Sequence, residues 1–377
     1  IMKMNNMNEV NDSQNPKTVY EVITECAVSL TKNYILQLAV SSESDLTIAV
    51  GLSNDPCVIY KLNNDGLKKI SSIKCHEEPI TELKFDKSDH NLFYSSSLDG
   101  TIKMWDLRDV KQPCQIFQGQ KLIKAPLLSF DTDATSRLLC GGSEHTDGDA
   151  FLIFWDLRSS KILGGYWESH DDDITQVVFH SINRNMMMSG STDGLINVFD
   201  ISQSTEDDSL LYTYNTMNSV QKLNWINEKK HAETISCITH TNDLQIWDMN
   251  SCLQTQNFER SDITKYSERI KHDDCYLINT FVTKDLETLV LIGSNANDGE
   301  CLEALQLSED KLQHAISFPK NKQIIRSSWF DNKSNMFILG GESGMLSVLK
   351  SNNLISPQKT QNNLKILNKK MQKMKPY

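Results

Sequence analysis

Short runs of alternating apolar and polar residues recur along the chain, and each is preceded by a turn. Residues 96–108 read SSLDGTIKMWDLR and residues 190–201 read GSTDGLINVFDI, while 149–158 read DAFLIFWDLR and 242–250 read NDLQIWDMN. In each, a turn gives way to apolar residues at every second position, and the run closes on an aromatic–Asp pair. A period of two over a few residues is the mark of a strand half-buried in a sheet. Weaker copies stand at 55–62 (DPCVIYKL), 299–307 (GECLEALQL) and 344–350 (GMLSVLK).

The aromatic of each copy, or the residue in its place, gives seven markers: Tyr60, Trp105, Trp155, Phe199, Trp247, Ala304 and Leu349. Their intervals are 45, 50, 44, 48, 57 and 45 residues. A second pattern keeps phase with the first, an apolar-x-x-apolar-x-aromatic stretch upstream of most markers. Its copies are Ile80, Leu83 and Phe85; Ala125, Leu128 and Phe130; Ile174, Val177 and Phe179; Val220, Leu223 and Trp225; and Ile325, Ser328 and Phe330. A polar turn follows each. Repeats of roughly 40–45 residues built from short strands point to the blades of a propeller. One blade cannot bury both its faces alone, so neighbours stack and the ring closes. The spacing predicts an all-β, seven-bladed propeller, each blade a four-stranded antiparallel sheet. Thr18 to about Ala27 (TVYEVITECA) has strand character and should supply the outer strand of blade 7. Both ends of the ring would then lie in one sheet, which hides edges that would otherwise aggregate.

Composition changes this picture little. The chain has 377 residues, 39% hydrophobic and 23% charged, so global disorder is not expected. No apolar run reaches the ~18–20 residues needed to cross a bilayer. The nine cysteines stand singly, without C-x-x-C spacing, which argues against zinc and fits reduced thiols in the cytoplasm or nucleus. Charge is more telling. The last 24 residues hold six lysines and no acid, so of a net −11 the remainder carries −17. An acidic body repels a nucleic-acid duplex and favours basic proteins. The expected organisation is a polar, disordered arm (1–17), the propeller (18–353) and a basic, disordered tail (354–377). That tail, with Leu364, Ile366, Leu367, Met371 and Met374 among its lysines, would suit a partner-bound helix, a nuclear-import or nucleic-acid-contacting arm, or a solubilising extension.

The aromatic–Asp copies, the stretch 164–201 and the loop 144–156 make the chain resemble the WD-repeat β-propeller family over residues ~18 to 353. The resemblance implies a structural role for what otherwise reads as chemistry. His76, Ser95, Asp99 and Trp105 in blade 2, and His170, Ser189 and Asp193 in blade 4, would suit a hydrolase triad. Their repetition, and the family's internal tetrad, make them a structural network in which Asp accepts from His, and His reaches Ser and then Trp. Phe199 stands where blade 4 would need the Trp, so that network should be one bond short. The aspartates of the aromatic–Asp pairs (Asp106, Asp156, Asp200, Asp248) should accept backbone N–H groups in the turns they begin.

Two WDLR copies resemble the WDxR box of cullin–RING ligase substrate receptors. That reading would put Arg108 and Arg158 on a ligase adaptor; the plainer one pairs each with a nearby turn carboxylate. Acids gather in three loops: Glu144, Asp147 and Asp149; Glu168, Asp171, Asp172 and Asp173; and Glu206, Asp207 and Asp208. The first two should share one rim as a patch for a basic partner, while the third should lie further out and need not join them. No metal site, cofactor, phosphate-binding glycine loop or nucleophile motif is expected. The chain therefore reads as a non-catalytic, intracellular scaffold for protein or peptide partners, without small-molecule substrate or membrane contact. The alternatives are a ligase substrate receptor and a nuclear assembly factor that binds basic ribosomal or chromatin proteins.

Overall fold

A computed structural model describes residues 19–29, 32–41, 46–119, 125–226, 233–285, 287–308 and 311–352. The expected arm and basic tail lie outside the described residues. Seven four-stranded antiparallel sheets follow one another along the chain. Their innermost strands are Ile35–Ser41, Ile80–Phe85, Leu127–Thr132, Ile174–Phe179, Val220–Ile226, Cys275–Val282 and Ile325–Asp331. In blades 1 to 6 the other three strands come next in sequence. Blade 7 takes only three strands from its own stretch of chain, and its outer strand is Tyr20–Ala27. That strand pairs with Met345–Ser351, from Tyr20 opposite Ser351 to Ala27 opposite Met345. The chain thus closes its ring by hydrogen bonds between its beginning and its end.

A β-bulge interrupts all seven inner strands near their start, as at Ile80/Glu82, Ile174/Gln176 and Ile325/Ser327. Such an extra residue bends a strand and sharpens its twist. The bulge also corrects one expectation from the sequence. In blade 3 it falls at Leu127/Ser129, so Leu127 and Phe130 occupy the places of Ile80 and Leu83. The set Ala125, Leu128 and Phe130 is two residues early, because Thr132 fills the third place and Phe130 draws the pattern toward itself.

The core is a ring of seven layers, each between two neighbouring blades. Tyr94, Ile102 and Phe117 of blade 2 pack on Leu127, Phe130 and Trp155 of blade 3. Ile338, Leu346 and Val348 of blade 7 pack on Ile48, Val50 and Tyr60 of blade 1, which seals the ring through its side chains as well. Glycine opposite the bulge makes room for the next blade: a Cβ on Gly190 would stand 2.6 Å from Val220, and one on Gly340 would stand 2.3 Å from Ile35.

Residues 250–275 belong to two structures. Leu253–Phe258 is the outer strand of blade 5, and beyond it runs an ordered connection with a helical turn at Arg260–Ile263. Ile263 and Ile270 enter the layer between blades 5 and 6. Arg269 anchors the connection, its Nε 3.1 Å from Oε1 of the buried Glu303. No helix among the described residues is long and apolar enough to cross a membrane.

Candidate functional site

In blade 2 the His76 ring lies between Asp99 and Ser95, with Nδ1 2.8 Å from Asp99 Oδ2 and Nε2 2.7 Å from Ser95 Oγ. Trp105 Nε1 donates to the same Ser95 Oγ at 3.1 Å. The two ends give the chain a direction. Trp105 only donates and an ionised Asp99 only accepts, so Nδ1 of His76 donates to Asp99, while its Nε2 faces the Ser95 hydroxyl and, at 3.1 Å, the Ser95 carbonyl oxygen. In blade 4, His170 Nδ1 lies 2.9 Å from Asp193 Oδ2 and its Nε2 2.7 Å from Ser189 Oγ. Phe199 has no N–H to add there. Both histidine side chains are fully buried (0% exposed), packed inside their blades. Burial alone would raise the Asp99 pKa, but the His76 ring and the Thr101 hydroxyl and N–H outweigh it and hold it at about 2.

The turn aspartates behave alike. Asp106 accepts the N–H of Arg108 at 2.9 Å, and Asp156 that of Arg158 at 2.8 Å. Each arginine also folds its guanidinium back onto the same carboxylate, Arg108 Nη2 at 2.6 Å and Arg158 Nη2 at 2.9 Å. Both side chains remain largely exposed, at 63% and 71%.

The acidic loops are brought together. His145 N–H donates to Asp173 Oδ1 at 2.8 Å, which ties the loop of blade 3 to the connection into blade 4. The third loop, which was expected further out and need not have joined them, is tied in as well. Thr205 caps a helical turn, Glu206–Ser209, that carries Glu206 across to this connection. There its carboxylate accepts the N–H groups of Trp167 and Glu168, both at 2.9 Å, and it also accepts the Ser169 hydroxyl. Asp147, Asp149, Glu168, Asp171 and Asp172 are exposed. Glu144 and Asp173 are half-buried, and among the described residues no ion pair reaches any of the seven.

The ring also has a central channel, whose rim the sequence reading offers as a second contact surface. It encloses about 1000 Å³ and is lined by all seven inner strands. Lys84 Nζ stands 3.2 Å from Glu82 and 3.5 Å from Asp131, and Lys87 Nζ stands 3.4 Å from Asp131. The carboxylates also bind the next blade along: Glu82 accepts the N–H of Phe130, and Asp131 that of Phe179, both at 2.8 Å. Burial would lower the Lys84 pKa, yet Asp131 and Glu82 overcome it and raise it. The signal lies in charged residues at 82, 84, 131 and 222 inside strands otherwise read for their apolar half.

Comparison with known proteins agrees with this architecture. The family described as "WD domain, G-beta repeat" matches residues 67–106 and 162–200. The chain is 25% identical to a WD repeat-containing protein 89 homolog of Dictyostelium discoideum, over 85% of this chain and 83% of that one. It is 28% identical to an uncharacterized WD repeat-containing protein of Saccharomyces cerevisiae, over 84% and 79% respectively. With the WD repeat-containing protein GTS1 of Arabidopsis thaliana it shares 29% identity over 57% of this chain and 53% of that one. Propellers of this kind are in general non-catalytic scaffolds for protein partners, and the fold alone does not name the partner. The fold is thus a closed seven-bladed propeller in which the WD repeat matches two blades, and over most of its length the chain is similar to WD-repeat proteins.

Proposed function

We propose that the protein is a non-catalytic platform that binds basic protein segments, such as those of ribosomal or chromatin proteins, on the acidic rim of blades 3 and 4. The observation that carries this reading is the tying of three acidic loops together by hydrogen bonds, with no ion pair among the described residues to neutralise their acids. A carboxylate cluster repels itself, and a Lys- or Arg-rich partner relieves that repulsion. Because the loops are held by backbone hydrogen bonds on a closed ring, binding orders little that is not already ordered. In a titration with an Arg/Lys-rich peptide, Asp171→Asn with Asp172→Asn should weaken binding about three- to tenfold and flatten its salt dependence. Affinity that ignores both salt and the double variant would reject the rim as the site.

A ligase-receptor role rests on a separate observation, two exposed arginines at equivalent turns of adjacent blades. Their guanidinium groups are already engaged by Asp106 and Asp156, so an adaptor would have to displace those contacts. Adaptor capture lost in a folded Arg108→Ala, Arg158→Ala protein would support this second reading, and unchanged capture would remove it.

A further inference from the structure

The acidic rim occupies one end of blades 3 and 4, and the other end is built differently. Consecutive turns of an antiparallel sheet alternate between its ends. The turns between first and second strands, 133–137 in blade 3 and 180–185 in blade 4, therefore open on the face away from the acids of 144–149 and 171–173. In blades 2, 3 and 7 an aspartate caps this turn: Asp86 accepts the N–H of Ser88 at 2.8 Å, Asp133 that of Thr135 at 3.0 Å and Asp331 that of Lys333 at 3.2 Å. Blade 4 uses the buried His180 instead, whose Nδ1 accepts the N–H groups of Ile182 at 3.1 Å and Asn183 at 2.9 Å. A ring nitrogen that accepts two N–H groups carries no proton, so this cap is neutral and brings no carboxylate to the turn. The same turn leaves Ile182 61% exposed and Arg184 exposed beyond it. Arg137 is exposed on the neighbouring turn, where the Asp133 carboxylate is turned inward onto the N–H groups of Thr135, Arg137 and Leu138. Among the described residues neither guanidinium group has a hydrogen bond or an ion pair, whereas Arg108 and Arg158 on the same face are folded onto Asp106 and Asp156. The two turns flank one seam, since Leu138, next to Arg137, and Phe179, next to His180, pack in the same layer.

We propose that this end of the blade 3–4 seam binds an acidic protein segment, its carboxylates paired by Arg137 and Arg184 and one of its apolar side chains set against Ile182. Arginine suits the task, because its planar fork grips a carboxylate with two parallel hydrogen bonds. The bare isoleucine adds an apolar contact that acids alone cannot use, so the fitting segment carries a large apolar residue among its acids. A long nucleic acid fits poorly: the body of the chain is strongly acidic, and Asp106, Asp156 and Asp200 stand on this same face. Both turns are held in place by backbone hydrogen bonds, Leu157 N–H to the Arg137 carbonyl at 2.9 Å and Ile201 N–H to the Asn185 carbonyl at 2.8 Å. Little is left to order when a partner arrives. The inference stands apart from the acidic rim, which lies at the opposite end of the same blades.

The test is a fluorescence-anisotropy titration of the full chain with two labelled peptides, one of glutamates around a single leucine and the other with serine in place of that leucine. The leucine peptide should bind more tightly. Arg137→Ala with Arg184→Ala should weaken both peptides about tenfold and flatten their salt dependence. Ile182→Ser should weaken the leucine peptide alone, about three- to tenfold, with its salt dependence unchanged. Asp171→Asn with Asp172→Asn should leave both affinities as they are, which separates this site from the rim. All three side chains are exposed, so these variants should fold, and an unchanged melting temperature verifies it. Should Ile182→Ser melt early, the backbone amide resonances of Ile182 and Asn183 in the unaltered protein give a second readout, and the leucine peptide should shift them. Three results would each overturn the proposal: no binding of either peptide at millimolar concentration, binding undiminished in the folded arginine variant, or displacement of the leucine peptide by a single-stranded oligonucleotide of equal charge, which would make the site one for nucleic acid.

Discussion

The networks of blades 2 and 4 differ at the end opposite aspartate, where Trp105 donates a hydrogen bond and Phe199 cannot. Trp105→Phe should therefore cost about 1–2 kcal/mol, one buried hydrogen bond and a little packing, in urea unfolding. His76→Ala should cost more, about 3 kcal/mol, because it strands both Asp99 and Ser95. Asp99 adds a dependence on pH. Its folded pKa of about 2 lies below the ordinary 3.8, so the unfolded chain takes up the proton first on acidification. The stabilisation is complete above pH 4–5 and is lost as pH falls toward 2, amounting to at most about 2 kcal/mol. The stability gap between the unaltered protein and Asp99→Asn should narrow over that window. A gap that stays constant down to pH 2 would mean that the carboxylate contributes nothing through its charge.

At the scale of strands and turns, the seams between blades set what the sequence can vary. Gly190 faces Val220 and Leu223 of the next blade, and a methyl group there would lie within 2.7 Å of both. Gly190→Ala should cost about 1–3 kcal/mol by overpacking, whereas Gly164→Ala, on the outer strand with nothing within 4 Å, should be tolerated; thermal melts separate the two. These seams also explain what is legible in the sequence. Alternation and the aromatic–Asp pairs reveal blade number and the outer strand of blade 7, because short runs of period two, each bounded by a turn, recur at the spacing of a blade. The register of blade 3 is not legible, since a bulge shifts the period without leaving a residue type behind. Glu206 escapes for another reason: a four-residue helical turn decides where that carboxylate reaches, and its acidic sequence looks like any solvated loop. The channel charges are visible as letters at 82, 84, 131 and 222. Their grouping is not, because only a closed ring brings blades 2, 3 and 5 to a common axis.

That closure is the property of the whole molecule on which rim and channel both depend, and it rests on a short strand. Tyr20 is 4% exposed and its ring lies 5.1 Å from Phe318 and 5.5 Å from Phe337, so the first described strand is pinned into the layer between blades 6 and 7. Three residues on, Ile23 is 53% exposed on the same strand. Tyr20→Ala should therefore cost about 3–5 kcal/mol by opening a cavity, while Ile23→Ala should stay within about 0.5 kcal/mol. Losing the strand altogether does more than subtract its packing. It bares the edge of Met345–Ser351, and an unpaired edge recruits strands from other chains. A protein beginning at residue 28 should accordingly melt lower and elute as oligomers in size-exclusion chromatography, with Tyr20→Ala part of the way there. A truncated protein that stayed monomeric with an unchanged melting temperature would show that the ring holds shut by the blade 7–blade 1 layer alone, and that the strand is an addition to a closure already complete.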